Sequence, residues 1–380
     1  MADTMFFSRD SKVFVAPLNT AGAEVAGAIW EIPVLDGFSF SQATNTSEVT
    51  LNEMSAGSNV SRRGRKMFTD SYAPAEWSFS TYARPFKSAD GYVAGAAADD
   101  DKHSAVEECL WAMLAGQAQY TVPADGTEAA WGDAITKGDA DMDIVFTASN
   151  KTTLGKANIY FTLGGTTGES AITYKIANCC MNEAGIDFDI DGIATINWSG
   201  MGTIITEQAA SPTRTRFEAI AGTNNFIRNR LTELTATSSV SGGAITYALT
   251  LTGGSITISN NMTFLTPETL GVINQPLDHV TGTRSVSGSF TCYLSNGTHG
   301  SMDLWEDLIG ATGVVTNAFN LNFKVGGAAG TPRIELAMPA CHLEVPTHSI
   351  DDIISVEMSF HALGTDIESA DELSVKYVGA

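Results

Sequence analysis

The chain repeats itself, and that constrains its fold more than any other feature. HSAVEECLWAMLAG at 103–116 places Val106, Leu110, Met113 and Leu114 on one helical stripe. Ser104 and Glu107 have the spacing of a capping box, and Gly116 is a stop. HGSMDLWEDLIG at 299–310 repeats the pattern with Met302, Trp305, Leu308 and Ile309. Each helix follows a similar strand: EWSFSTYARP at 76–85 alternates Trp77, Phe79 and Thr81 with Ser78, Ser80 and Tyr82, and SGSFTCYL at 287–294 matches it around Phe290 and Tyr293. IYFTLGG (159–165) and LNFKVGG (321–327) come next, then ITYKIANCC and RIELAMPAC, then IATINWSGMGT (193–203) and ISVEMSFHALGT (354–365). Matched blocks in one order predict two homologous domains, 1–205 and 224–380, with a polar, proline-containing linker at 206–223. The spacing is wider before the helices, which places an insert rich in Ala, Gly and Asp around 117–157 of the first copy. Short strands broken by Gly, Asn, Ser and Thr, with one helix per copy, predict a mainly β chain: two tandem β-sandwich or barrel domains, each flanked by a helix.

Residues 185–200, GIDFDIDGIATINWSG, raise a competing reading, because acids at alternate positions followed by glycine open a calcium loop. Such a loop closes on a bidentate glutamate at its twelfth position; counted from Asp187, that position is Trp198. Ile186, Phe188 and Ile190 alternate with Asp187, Asp189 and Asp191, the period of a strand with one dry and one wet face. Aligned on Glu183 and Glu344, the second copy has His348 and Ile350 where the first has Asp187 and Asp189, so a metal site is not part of the repeated unit.

At 380 residues and 43% hydrophobic content the chain has material for two cores, and no apolar run reaches membrane-span length. The start, MADTMFFSRDSKVFVAP, lacks the basic-then-apolar order of a secretory signal. Cys109, Cys179, Cys180, Cys292 and Cys341 form no CxxC pair, and their odd number predicts reduced thiols and a cytoplasmic folding compartment. Forty-three acids against 21 bases give a net charge of −22, which excludes nucleic-acid binding by phosphate neutralisation but not the handling of DNA by repulsion.

The sequence has no phosphate loop, HExxH or GxSxG, and its histidines lack zinc spacing. We expect no catalytic residues, metal or cofactor, although an acidic pair for glycoside hydrolysis has no motif to be ruled out by. One stretch differs in charge: SRRGRKMF at 61–68 gathers Arg62, Arg63, Arg65 and Lys66 in a segment of about 25 residues between the strands EVTLNE and EWSFSTY. It reads either as a solvated loop or as an arm docking on an acidic surface of another copy.

WEIPVLDGFSFSQATNTSEVTLNE, this basic arm, APAEWSFSTYARPF, the helix and INWSGMGT together resemble a bacteriophage tail tube protein, of the siphophage kind with a duplicated tube domain. The resemblance covers most of 6–205 and extends to the second half through the duplication. It implies a structural virion protein of the tail, assembled in the host bacterial cytoplasm. Three chains would form a homotrimeric, pseudo-hexameric ring whose inner strands join a ring-wide β-barrel. Rings would stack helically into a tube that conducts double-stranded DNA during ejection without binding it specifically. Implied partners are further copies of the chain, a tape-measure protein and tail terminator and tip proteins, with no membrane insertion by this chain. Arg62, Arg63, Arg65 and Lys66 would be the inter-ring arm. Asp187, Asp189 and Asp191 would line the lumen, or else an outer or inter-subunit face. Two other classes remain at this point: a virion surface adhesin of tandem sandwich domains binding host glycans, and a tail-associated glycosidase. An adhesin would expose aromatic platforms in loops, whereas most Trp and Phe here fall on strand or helix faces.

Overall fold

A computed structural model describes residues 8–50, 65–88, 102–116, 120, 131, 134–146, 154–164, 171–215, 225–238, 244–310, 319–327, 330–350 and 352–379. The first half runs β1 (Lys12–Pro17), β2 (Trp30–Ile32), β3 (Ser39–Thr50), β4 (Arg65–Tyr82), β5 (Pro85–Ser88), β6 (Lys102–Ala105), α1 (Glu108–Ala115), β7 (Ile135–Lys137), β8 (Asp141–Ile144), β9 (Ala157–Leu163), β10 (Ile172–Asp189), β11 (Thr195–Gly202) and β12 (Ile205–Gln208). The second half runs β13 (Glu233–Ser238), β14 (Ile245–Tyr247), β15 (Leu251–Ser259), β16 (Thr263–Leu265), β17 (Asp278–Val280), β18 (Ser285–Tyr293), α2 (Ser301–Gly310), β19 (Phe319–Val325), β20 (Arg333–Leu343), β21 (Thr347–Ser349), β22 (Ser355–Leu363) and β23 (Ser374–Val378). The chain is mainly β.

The pairing order of the first half recurs in the second. β1 pairs with β2 and β9, β9 with β10, β10 with β11 and β12, β11 with β4, and β4 with β3, all antiparallel. β13 pairs with β14 and β19, β19 with β20, β20 with β22 and β23, β22 with β18, and β18 with β15, again all antiparallel. Alternation drives each ladder: in β4, Ala75, Trp77, Phe79 and Thr81 are buried while the residues between them are not. One apolar cluster, including Trp111, Trp198, Phe323 and Phe360, extends through both halves.

Two junctions join the halves. The C-terminal part of β10 lies between β11 and β15, with Glu183 opposite Ser259 and Asp189 opposite Gly253. This makes one continuous sheet in the order β3-β4-β11-β10-β15-β18-β22-β20. The second junction uses the insert. β8 pairs with β23, the last strand, with Asp141 opposite Val378.

The structure corrects several expectations. Residues 102–105 form β6, paired with β5, so Ser104 caps nothing and α1 starts at Glu108 with no side-chain cap. Glu107 instead turns inward, accepting hydrogen bonds from the Tyr377 hydroxyl and, at 3.2 Å, the Arg84 backbone N–H. All eight residues of α1 are buried rather than one stripe, because the insert and β23 cover its outer side. Part of the supposed loop is strand: β4 begins at Arg65, well before the expected start at Glu76. β12 runs three residues into the expected linker. The strand registers also move the alignment of the halves by one residue: Asp187 stands opposite Thr195 as Ser349, not His348, stands opposite Ser355.

Candidate assembly surface

The continuous sheet has a dry face and a wet face. On the wet face β3 and β4 present Ser39, Ser41, Ser78 and Ser80; β11 adds Asn197 and Ser199; β15 and β18 add Ser255, Thr257, Ser287 and Ser289. Small hydroxyl side chains keep this surface low, and several are tied across strands. Ser39 and Ser78 hydroxyls lie 2.8 Å apart. The Ser80 hydroxyl donates to Asn197 Oδ1 at 2.6 Å, and Asn197 Nδ2 donates to Asp187 Oδ2 at 3.0 Å, a chain across three strands. The acidic side chains on this face include Glu76, Glu183, Asp187, Asp189, Glu344 and Glu357, joined by His342 and His361, whose Nε2 lies 3.2 Å from Glu344 Oε1. Lys66, opposite Val49 far out on the β3–β4 hairpin, shares this side; nearer the body of the sheet, among the described residues of the segments just named, no Lys or Arg faces the same way.

Asp187 and Asp189 thus lie on the exposed face of the sheet at the junction between the halves. Asp191 falls in the turn beyond β10, where its carboxylate is 3.5 Å from Arg230. The three acids do not converge, and among the described residues no group of three His, Cys, Asp or Glu side chains gathers as a metal site. Alternation at Glu76, Glu183 and Glu357 was the signal for the additional acids; it was readable in each strand but not the fact that all three strands share one sheet.

Arg62 and Arg63 lie outside the described residues. Arg65 opens β4 and forms a two-pronged ion pair with Glu48 across the β3–β4 hairpin, one contact being 2.5 Å from Nη2 to Oε2. That hydrogen bond holds the Glu48 carboxyl below its usual range. Lys66 Nζ stands 5.2 Å from the Phe68 ring centroid. The outer part of this hairpin, including Val49, Met67 and Phe68, is exposed. Its stalk contacts the second half: the Tyr72 N–H donates to the Asn274 carbonyl at 2.9 Å, and the Asn274 N–H to the Asp70 carbonyl at 3.2 Å.

All five cysteines are free and buried, and burial raises each thiol above its ordinary pKa, to about 12 for Cys180 and Cys341. Such thiols are weak nucleophiles. No helix among the described residues is long and apolar enough to cross a membrane.

A recurring strand order and one sheet shared by the two halves define a mainly β protein. The phage tail tube protein family matches residues 114–362, and the chain belongs to that family. It is 30% identical over 375 residues to tail tube protein pb6 of Escherichia phage T5, an alignment covering 96% of this chain and 74% of pb6. The chain is a structural component of a virion tail, in a family that is not one of enzymes.

Proposed function

We propose that this chain is two tandem tube domains, and that three chains close into a pseudo-hexameric ring whose joined inner sheets surround a DNA conduit. One observation carries the reading: the eight-strand sheet crosses from one half to the other without a break, and between Ser39–Gln42 of β3 and the 340–343 end of β20 its open face is hydroxyl-lined, acidic and without Lys or Arg among the described residues. Three such sheets supply about 24 strands, and an edgeless barrel removes the unpaired strands that invite uncontrolled pairing. The net charge of −22 per chain becomes −66 per ring, three times over. Phosphates are repelled by such a wall, so DNA slides where Lys or Arg contacts would hold it. Asp187 and Asp189 belong to this wall, whereas Asp191 sits at its rim beside Arg230.

Rings stack head to tail, the heterologous geometry that makes filaments. The β3–β4 hairpin, together with the basic segment Arg62, Arg63, Arg65 and Lys66 at the start of β4 and just before it in sequence, reaches the next ring; each exposed ion pair there adds about 0.2–1 kcal/mol, repeated by the ring symmetry. The tube encloses a tape-measure protein, is closed by terminator and tip proteins, and is assembled in the host cytoplasm before DNA ejection. The glycan-binding alternative gains little, because Trp77, Trp111, Trp131 and Trp198 are all buried. Electron microscopy of concentrated protein tests the proposal: rings or tubes roughly 90–110 Å wide follow from a 24-strand barrel and its outer layer, while monomers alone that bind sugars overturn it.

A further inference from the structure

We propose that the ring closes by repeating, between chains, the junction that joins the two halves within one chain. The 347–350 edge of one copy pairs antiparallel with the free edge of β3 in the next copy, with His348 opposite Phe40. This rests on the tube reading and adds to it the mating edges and their register.

The internal junction is the template. Gly185 stands opposite Thr257, Ile186 opposite Ile256, Asp187 opposite Ser255 and Phe188 opposite Gly254. The ladders then fix which residues correspond. Ile186 faces Ile196 of β11 as His348 faces Val356 of β22, so His348 stands in the place of Ile186 and Ile350 in that of Phe188. Phe40 faces Trp77 of β4 as Ile256 faces Gly288 of β18, so Phe40 corresponds to Ile256 and Phe38 to Gly254. Phe161 faces Tyr174 as Phe323 faces Leu336, which makes these two phenylalanines equivalent.

The two sets of equivalent residues differ in exposure. At the internal junction Ile186 and Ile256 are fully buried and Phe188 is 4% exposed. At the outer edges Ile350 is 81% exposed, His348 is exposed and Phe40 is half-buried. Their ladders account for this: among the described strands β3 pairs only with β4, and β21 only with β22. What buries Phe188 is the other half, whose Phe323 ring lies 5.4 Å away. What would bury Ile350 is a second copy presenting Phe161, with Phe38 and Phe40 stacked on it at 5.6 and 4.6 Å.

Size complementarity supports the match. A Cβ added at Gly254 would come 2.7 Å from the Phe188 ring, so the large Phe188 requires glycine opposite it. At the outer junction the large residue moves to the other strand: Phe38 replaces Gly254, and the smaller Ile350 replaces Phe188. Charge leaves the strand pair too, since Ser349 and Ser39 stand where Asp187 faces Ser255. Pro346, with no N–H to donate, marks where the shared ladder ends.

Cysteine pairs read the register. Residues directly opposite across strands have Cβ atoms close enough for a disulfide, while a one-residue slip turns one side chain to the other face. Purified Ser39→Cys/Ser349→Cys protein, oxidised mildly at assembling concentration, should run on denaturing electrophoresis as a covalent three-chain species. Ser41→Cys/Thr347→Cys should behave alike, because Thr347 and Ser41 occupy the places of Gly185 and Thr257. The slipped pair, Ser39→Cys/His348→Cys, should give at least tenfold less. Three-chain rings under the microscope without cross-linking of either matched pair, or with equal cross-linking of the slipped pair, overturn the register and leave the tube reading standing. Absence of rings in the unmodified protein overturns both.

Discussion

Gly200 and Trp77 face each other across β11 and β4, and the corresponding positions across β22 and β18 hold Phe360 and Gly288. A Cβ at Gly200 would come 2.5 Å from the Trp77 ring, and one at Gly288 would come 2.7 Å from the Phe360 ring. Each half thus fills one site with a ring and a glycine, placed on opposite strands. The alternation that puts these positions on a buried face is plain in the sequence; the reciprocal exchange is not, because it depends on cross-strand register. Glu107 is another residue whose role only packing reveals. Its spacing from Ser104 suggested a cap, but it lies fully buried between α1 and β23, and desolvation raises its pKa to about 7 despite the Tyr377 hydroxyl and Arg84 N–H. A carboxyl with a folded pKa above its unfolded value favours the fold most below pH 4.5, and that contribution is lost as pH rises through 7. The loss amounts to about 3 kcal/mol. Denaturant melts at pH 5 and pH 8 should therefore show a larger drop for the native chain than for Glu107→Gln, which keeps the acceptor oxygen without the charge. An equal drop in both excludes Glu107 as the titrating group.

At the scale of elements, the insert is a clasp. The sequence marks it as extra material around 117–157 and suggests no role for it. In the structure it carries β8 to the edge of β23, and the Lys137 ammonium lies 2.8 Å from the Glu108 carboxylate, both side chains almost fully buried. The Trp131 indole N–H donates to the same carboxylate at 3.2 Å, and the Trp111 indole N–H donates to the Tyr377 hydroxyl at 2.7 Å. Periodicity exposes only an amphipathic stripe in α1; complete burial of that helix is set by chain segments distant in sequence, which no local pattern can report. Breaking a buried pair leaves a charge without compensation, at a cost of about 3–5 kcal/mol. Lys137→Met should lower unfolding stability by that amount, and adding Glu108→Gln should restore most of it. A single variant melting like the native chain would mean that the clasp contributes nothing. The strands themselves were legible because period-two alternation is a local property, but it ran too far in DFDIDG: β10 stops at Asp189, and Ile190, expected on the dry face, is exposed in the turn beyond. The link from β10 to β15 was not legible.

For the whole molecule, the matched blocks and the excess of acids are plain in the sequence, but the gathering of acids and hydroxyls on one face required the sheet order. The same distinction applies to the arm. Its charge is evident in SRRGRKMF, yet Arg65 is engaged with Glu48 inside its own hairpin, so the proposed docking would rest chiefly on Arg62, Arg63 and Lys66. Reversing Arg62, Arg63 and Lys66 to Glu, which leaves the Arg65–Glu48 pair intact, should block stacking while leaving single rings, as counted on micrographs; normal tubes from that variant retire the arm as a docking device. The central claim, that two copies of one unit in each chain close with their sisters around a bore, has its most direct test in cryo-electron microscopy of the assembled protein. The account predicts a ring of three chains with six similar lobes, an open channel and a continuous inner strand layer. A ring of six chains, six unlike lobes or an assembly without a bore would contradict it.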